Sequence, residues 1–70
     1  MAEVRAELVS NVWKVLLSEG AAVSEGDALV ILESMKMEIP VLAEEEGTVV
    51  RMAVAEGEVV QEGDLIAVIE

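Results

Sequence analysis

Seventy residues with 15 acids against 4 bases, a formal net charge of −11, make one domain at most and argue against binding to a phosphate backbone or an anionic membrane. The absence of Cys and His excludes disulfides, thiolate and imidazole metal sites and the commonest general base. A hydrophobic fraction of 54%, mostly Val, Leu, Ile and Ala, is too high for a disordered acidic chain, and its β-branched residues favour strands.

In chain order, MAEVRAELVS at 1–10 has no basic stretch before an apolar run, so it does not read as a signal peptide. No apolar stretch approaches the ~20 residues of a membrane helix. The expected location is the cytoplasm, and Met1 together with the apolar ending VIE points to a complete small protein. A first strand is expected at 12–17, with Trp13, Val15 and Leu17 on one face and Lys14 on the other. An EG turn at 19–20, a short apolar touch at Val23 and an EGD turn at 25–27 follow. Next comes ALVIL at 28–32, a continuous apolar run that fits a strand buried on both faces.

The same parts return at an offset of 37 residues. Val12 matches Val49, Glu19-Gly20 match Glu56-Gly57, Val23 matches Val60, and Glu25-Gly26-Asp27 match Glu62-Gly63-Asp64. Lys14 pairs with Arg51, and the run LIAVI at 65–69 repeats ALVIL. Val50, Met52 and Val54 are accordingly expected to share a face as Trp13, Val15 and Leu17 do. Two copies are too few for a solenoid, so the repeat predicts a pseudo-two-fold β structure.

Between the copies lies SMKMEIPVLAEEEG at 34–47, read as having no counterpart in the repeat. ILESMKMEIPVLA at 31–43 reads as a hairpin, with Pro40 at a sheet edge or bulge because it cannot donate to a ladder. Glu44-Glu45-Glu46 reads as a solvated turn. A hairpin tip ordinarily takes Asn-Gly, Asp-Gly or Gly-X, yet the sequence puts Met35-Lys36-Met37 there. Local rules broken without a packing gain tend to mark functional sites, and unbranched Met suits adaptable contact with a partner. Lys14 has a cationic mate and belongs to the framework, whereas Lys36 has none and is flanked by Glu33 and Glu38. The structural alternative is an ordinary surface lysine, with at least one of the two methionines partly buried beneath the hairpin.

ESMKM at 33–37, set between two copies of G-x-x-V-x-x-G-D, resembles the biotin/lipoyl attachment domains over about Arg5–Glu70. With ESMKMEIPVLAE at 33–44, the chain is most similar among them to small stand-alone biotinylated proteins of actinobacteria. The resemblance implies an all-β flattened barrel, or barrel-sandwich hybrid, of two four-stranded antiparallel sheets, formed by residues 1–70 as a single domain. It implies that Lys36 carries covalent biotin and that Met35 and Met37, with Glu33 and Glu38 beside them, help a biotin protein ligase recognise the hairpin. By the same resemblance the ligase presents biotin as an acyl-adenylate. The carrier then serves a biotin carboxylase and a carboxyltransferase, usually of the acyl-CoA carboxylase type. The chain is expected to be a carrier and not an enzyme. Some larger carriers that the chain resembles insert a thumb between early strands; the connection at 18–27 is too short for one.

Two other readings stay open at this point. Lipoyl carriers of dehydrogenase complexes or glycine cleavage share the fold but usually show Asp-Lys-Ala where this chain has Met35-Lys36-Met37. An unmodified interaction module would keep the barrel but would have no need of a lysine framed by methionines.

Overall fold

The computed structural model describes residues 1–70 and contains eight strands and no helix. They are β1 (Ala2–Arg5), β2 (Ser10–Val15), β3 (Ala22–Val23), β4 (Ala28–Ser34), β5 (Met37–Leu42), β6 (Gly47–Met52), β7 (Val59–Val60) and β8 (Leu65–Ile69). Two four-stranded antiparallel sheets form, in the orders β1-β8-β6-β3 and β5-β4-β2-β7. The sheets face each other across one apolar cluster whose largest fully buried members are Leu29, Leu32, Ile66, Ile69, Val12, Val30 and Val49.

The pairing follows the 37-residue repeat closely. Ala2 faces Ile69 as Ile39 faces Leu32, and Val4 faces Ala67 as Val41 faces Val30. The backbone bonds between the units are reciprocal: Gly20 N–H donates to Val49 C=O (2.7 Å) and Gly57 N–H to Val12 C=O (2.8 Å). Both glycines lie at φ +93°, the left-handed conformation that the third position of such a turn requires and that a side chain resists. Each unit therefore closes its turn on the other unit's first strand, and neither sheet is complete without both copies.

These pairings correct the extent of the repeat. Residues 39–42 are the counterparts of 2–5, so β5 answers to β1, and the stretch without a mate shrinks from 34–47 to the hairpin tip. The mate escaped notice because AEVR and IPVL share only backbone role, not residue type. Pro40 lies on the edge strand β5, as its missing N–H requires.

The predicted faces also need correction. Val12 is buried (1% exposed) and Trp13 faces solvent (42%), with Val49 and Val50 likewise in and out. A register shift between Val12 and Lys14 in β2, and between Val49 and Arg51 in β6, inserts one extra residue into each strand. That β-bulge turns Trp13 and Val50 outward, while Val15, Leu17, Met52 and Val54 still pack against the core. Trp13 instead lies against its neighbour, with Lys14 Nζ 5.6 Å from the ring centroid, within cation–π range.

Each bulge is held by a carboxylate from the other unit. Glu56 Oε2 accepts from Val15 N–H at 3.0 Å, and Glu19 Oε2 accepts from Met52 N–H at 3.1 Å. Asp27 and Asp64 similarly staple the EGD turns by accepting from Ser24 N–H and Gln61 N–H. Several of the acids behind the large negative charge are thus structural acceptors. Glu19→Ala and Glu56→Ala are each expected to lower stability by about 1 kcal/mol, the net worth of one such bond, and by similar amounts because the sites are mates. Urea unfolding of the two variants checks this, and an effect in only one of them would contradict the reciprocal arrangement.

Candidate functional site

The hairpin between the units is built from the core outward. Leu32 of β4 is buried and faces Ile39 of β5, which packs half-buried on the same cluster. One pair further out, Glu33 faces Glu38; beyond them Ser34 faces Met37 and closes the ladder. Only Met35 and Lys36 remain for the turn. Both have positive φ, 53° and 65°, the pattern of the two-residue turn whose twist suits a tight hairpin.

That turn normally takes Asn-Gly because a Cβ in the left-handed region costs about 1–2 kcal/mol per residue. Met35 and Lys36 are the only residues other than glycine with positive φ in the chain. The turn therefore keeps long side chains at a conformational cost, on a hairpin whose six register pairs anchor it. The double variant Met35→Asn, Lys36→Gly is expected to gain about 1 kcal/mol of stability, read as a higher urea midpoint. A loss instead would mean that the two side chains support the fold.

All five residues singled out in the sequence gather at this tip. Met35 is 91% exposed, Met37 61%, and Glu33, Lys36 and Glu38 are exposed as well. The expected burial of a methionine beneath the hairpin does not occur, because the two-residue turn leaves no loop to fold back over a side chain. Lys36 joins no ion pair; the single salt bridge joins Arg5 and Glu3 of β1 at 2.8 Å. Directly opposed Glu33 and Glu38 instead place like charges across the ladder, an arrangement that weakens a hairpin and that sequence spacing alone did not reveal. A groove lies along the edges of β1 and β5, lined by residues that include Val4, Leu32, Val41 and Ile69. None of residues 33–38 lines it, so the tip presents side chains rather than a cavity. Chemically the tip offers one primary amine, held clear of the body and free of a carboxylate partner.

The comparisons with known proteins bear on this arrangement. The model of the biotin/lipoyl family, described as "Biotin-requiring enzyme", matches residues 2–69. The chain belongs to that family. Its members of this kind are carrier domains without catalytic machinery of their own. The chain is 60% identical over 47 residues to the "Biotinylated protein TB7.3 homolog" of Mycobacterium leprae, a match spanning 67% of this chain and 66% of that protein. Over 41 residues it is 63% identical to the Mycolicibacterium smegmatis homologue of the same name, covering 59% of this chain and 58% of the relative. The match thus falls short of two thirds of these relatives' lengths. Among solved structures, Kluyveromyces lactis urea carboxylase superposes with a TM-score of 0.92 at 35% identity, over 99% of this chain and 6% of that one. The two-sheet barrel of this biotin/lipoyl domain is therefore also found as 6% of a much longer carboxylase chain.

Proposed function

We propose that this biotin/lipoyl domain, acting as one unit over residues 1–70, is a biotin carrier and that Lys36 is its attachment residue. The observation that carries the reading is the position of Lys36: an exposed, unpaired amine in a strained turn, at the one place where the repeat is interrupted. The tip fits the group, since an amide needs only one accessible amine held in a fixed place. In its deprotonated form, the Lys36 amine attacks the carbonyl of biotin presented by a biotin protein ligase as an acyl-adenylate. The amide bond forms, adenylate leaves with the electrons of the broken bond, and the amine proton is lost. When bound, biotin supplies the carboxyl-carrying group.

Met35 and Met37 would give the ligase adaptable apolar contact, with Glu33 and Glu38 forming an acidic rim behind them. Met-Lys-Met in place of Asp-Lys-Ala favours biotin over lipoate. The names of the mycobacterial relatives support biotin as the cargo. The likeness to urea carboxylase and to an acyl-coenzyme A carboxylase alpha3 subunit of Mycobacterium leprae, 46% identical over 46 residues, supports a role between a biotin carboxylase and a carboxyltransferase, of the acyl-CoA carboxylase type. A carrier of this kind works as a tether that raises the local concentration of its cofactor at two active sites in turn. With a net charge of −11, the docking faces of those cytoplasmic partners would be neutral or basic.

Intact mass and peptide mapping after co-expression with a biotin ligase test the reading. One biotinyl adduct on Lys36 is the expected result. A lipoyl adduct would keep the carrier and change its pathway. No adduct under saturating ligase would reassign the chain as an unmodified module.

A further inference from the structure

Four methionines occur in the chain, and their environments differ sharply. Met35 and Met37 flank Lys36 and are 91% and 61% exposed, whereas Met52 packs half-buried against the core. Met1 is also exposed, at 83%, but precedes β1, where the repeat makes it the mate of Glu38 and not of Met35, Lys36 or Met37. Thioether sulfur is oxidised where it is accessible, and the sulfoxide replaces a flexible apolar side chain with a polar one. In this protein the two accessible internal thioethers are the two neighbours of the one unpaired tip amine.

We infer that Met35 and Met37 are a reversible oxidation site that gates the loading of Lys36. This rests on the reading of Lys36 as the attachment residue. Oxidation needs a peroxide. A sulfur lone pair attacks one peroxide oxygen, the O–O bond breaks, an S–O bond forms, and the reduced peroxide leaves as water or alcohol. Sulfur loses two electrons and the peroxide gains them. Reversal by methionine sulfoxide reductase needs a dithiol, which gives two electrons to sulfur as the oxygen leaves as water and the dithiol becomes a disulfide. The backbone of the tip has nothing to lose by this change, because neither side chain is packed in the core. What changes is the surface offered to the ligase: burying a sulfoxide oxygen without a partner is unfavourable where burying a thioether is not. Loading is expected to slow about tenfold or more, while folding is unaffected.

The test uses the whole chain. Protein is treated with dilute hydrogen peroxide, mapped by peptide mass, and labelled with biotin ligase under conditions of limiting enzyme, before oxidation, after it, and after methionine sulfoxide reductases. Circular dichroism follows the fold throughout. Oxygen added at Met35 and Met37 ahead of Met52, with slow labelling that the reductases restore, is the expected result. Met35→Leu with Met37→Leu should keep its labelling rate through the same treatment, even if that rate starts lower. Labelling unchanged by oxidation of both residues, or Met52 oxidising as fast as they do, would overturn the proposal. If the untreated protein takes no biotin at all, the attachment reading itself fails and this inference falls with it, an outcome visible before any peroxide is added.

Discussion

Replacing Lys36 by Arg is expected to reduce biotin labelling from complete to undetectable while leaving the unfolding curve where it was. Arginine keeps the positive charge, the long aliphatic stem and the exposure. It loses the one property that attachment needs, because a guanidinium is not deprotonated in proteins and offers no free amine. The fold has no stake in the change, since Lys36 makes no ion pair and lines no core. Lys14→Arg supplies the internal control. Its mate in the second unit is already Arg51, so the framework accepts arginine there, and neither labelling nor stability should move. Intact mass gives the labelling and urea titration gives the stability. Adduct on Lys14 in the Lys36→Arg protein would show that the repeat had been misread.

Leu29→Ala should have the largest effect on stability, about 3 kcal/mol, and Ile66→Ala should nearly equal it. Both side chains are fully buried, and each is the extra residue where its strand slips register: β4 between Ala28 and Val30, β8 opposite Val4 and Arg5. The slip lets two consecutive residues, Leu29-Val30 or Ile66-Ala67, point into the core together. Truncation there removes apolar contact and leaves a cavity that two rigid sheets cannot close. A domain of this size holds only about 5 kcal/mol in total, so either change takes much of it. Urea midpoints at unchanged slope measure the loss. Values below about 1 kcal/mol, or a wide gap between the two variants, would deny these mates equivalent places in one core.

How much of this could be read in the sequence depended on the residue. The turns were legible because Glu-Gly and Glu-Gly-Asp recur and glycine has a distinct backbone reason to be there. The buried strands were legible because ALVIL and LIAVI are apolar throughout. The tip was legible because Met35-Lys36-Met37 violates turn chemistry. The orientation of Trp13 was not, since strict alternation has no way to show a one-residue bulge: it puts Trp13 on the face of Val15 and Leu17 and Val12 opposite, whereas Val12 is the core residue. β1 was missed because an edge strand of four residues with alternating charges carries little apolar signal. The opposed pair Glu33 and Glu38 depends on ladder register, which the turn length decides and composition does not.

The reciprocity of the two units also says something about how the chain could be threaded. Ala2 pairs with Ile69 just as Ile39 pairs with Leu32, so Glu70 and Met1 stand where Glu33 and Glu38 stand at the tip. Joining Glu70 to Met1 through Ser-Met-Lys-Met would copy residues 34–37 and make the polypeptide a closed ring. Such a ring could be cut at the solvated Glu44–Glu46 segment to give a circular permutant with the same barrel. It would carry a lysine at each of two equivalent hairpins and, on the attachment proposed for Lys36, two arms instead of one.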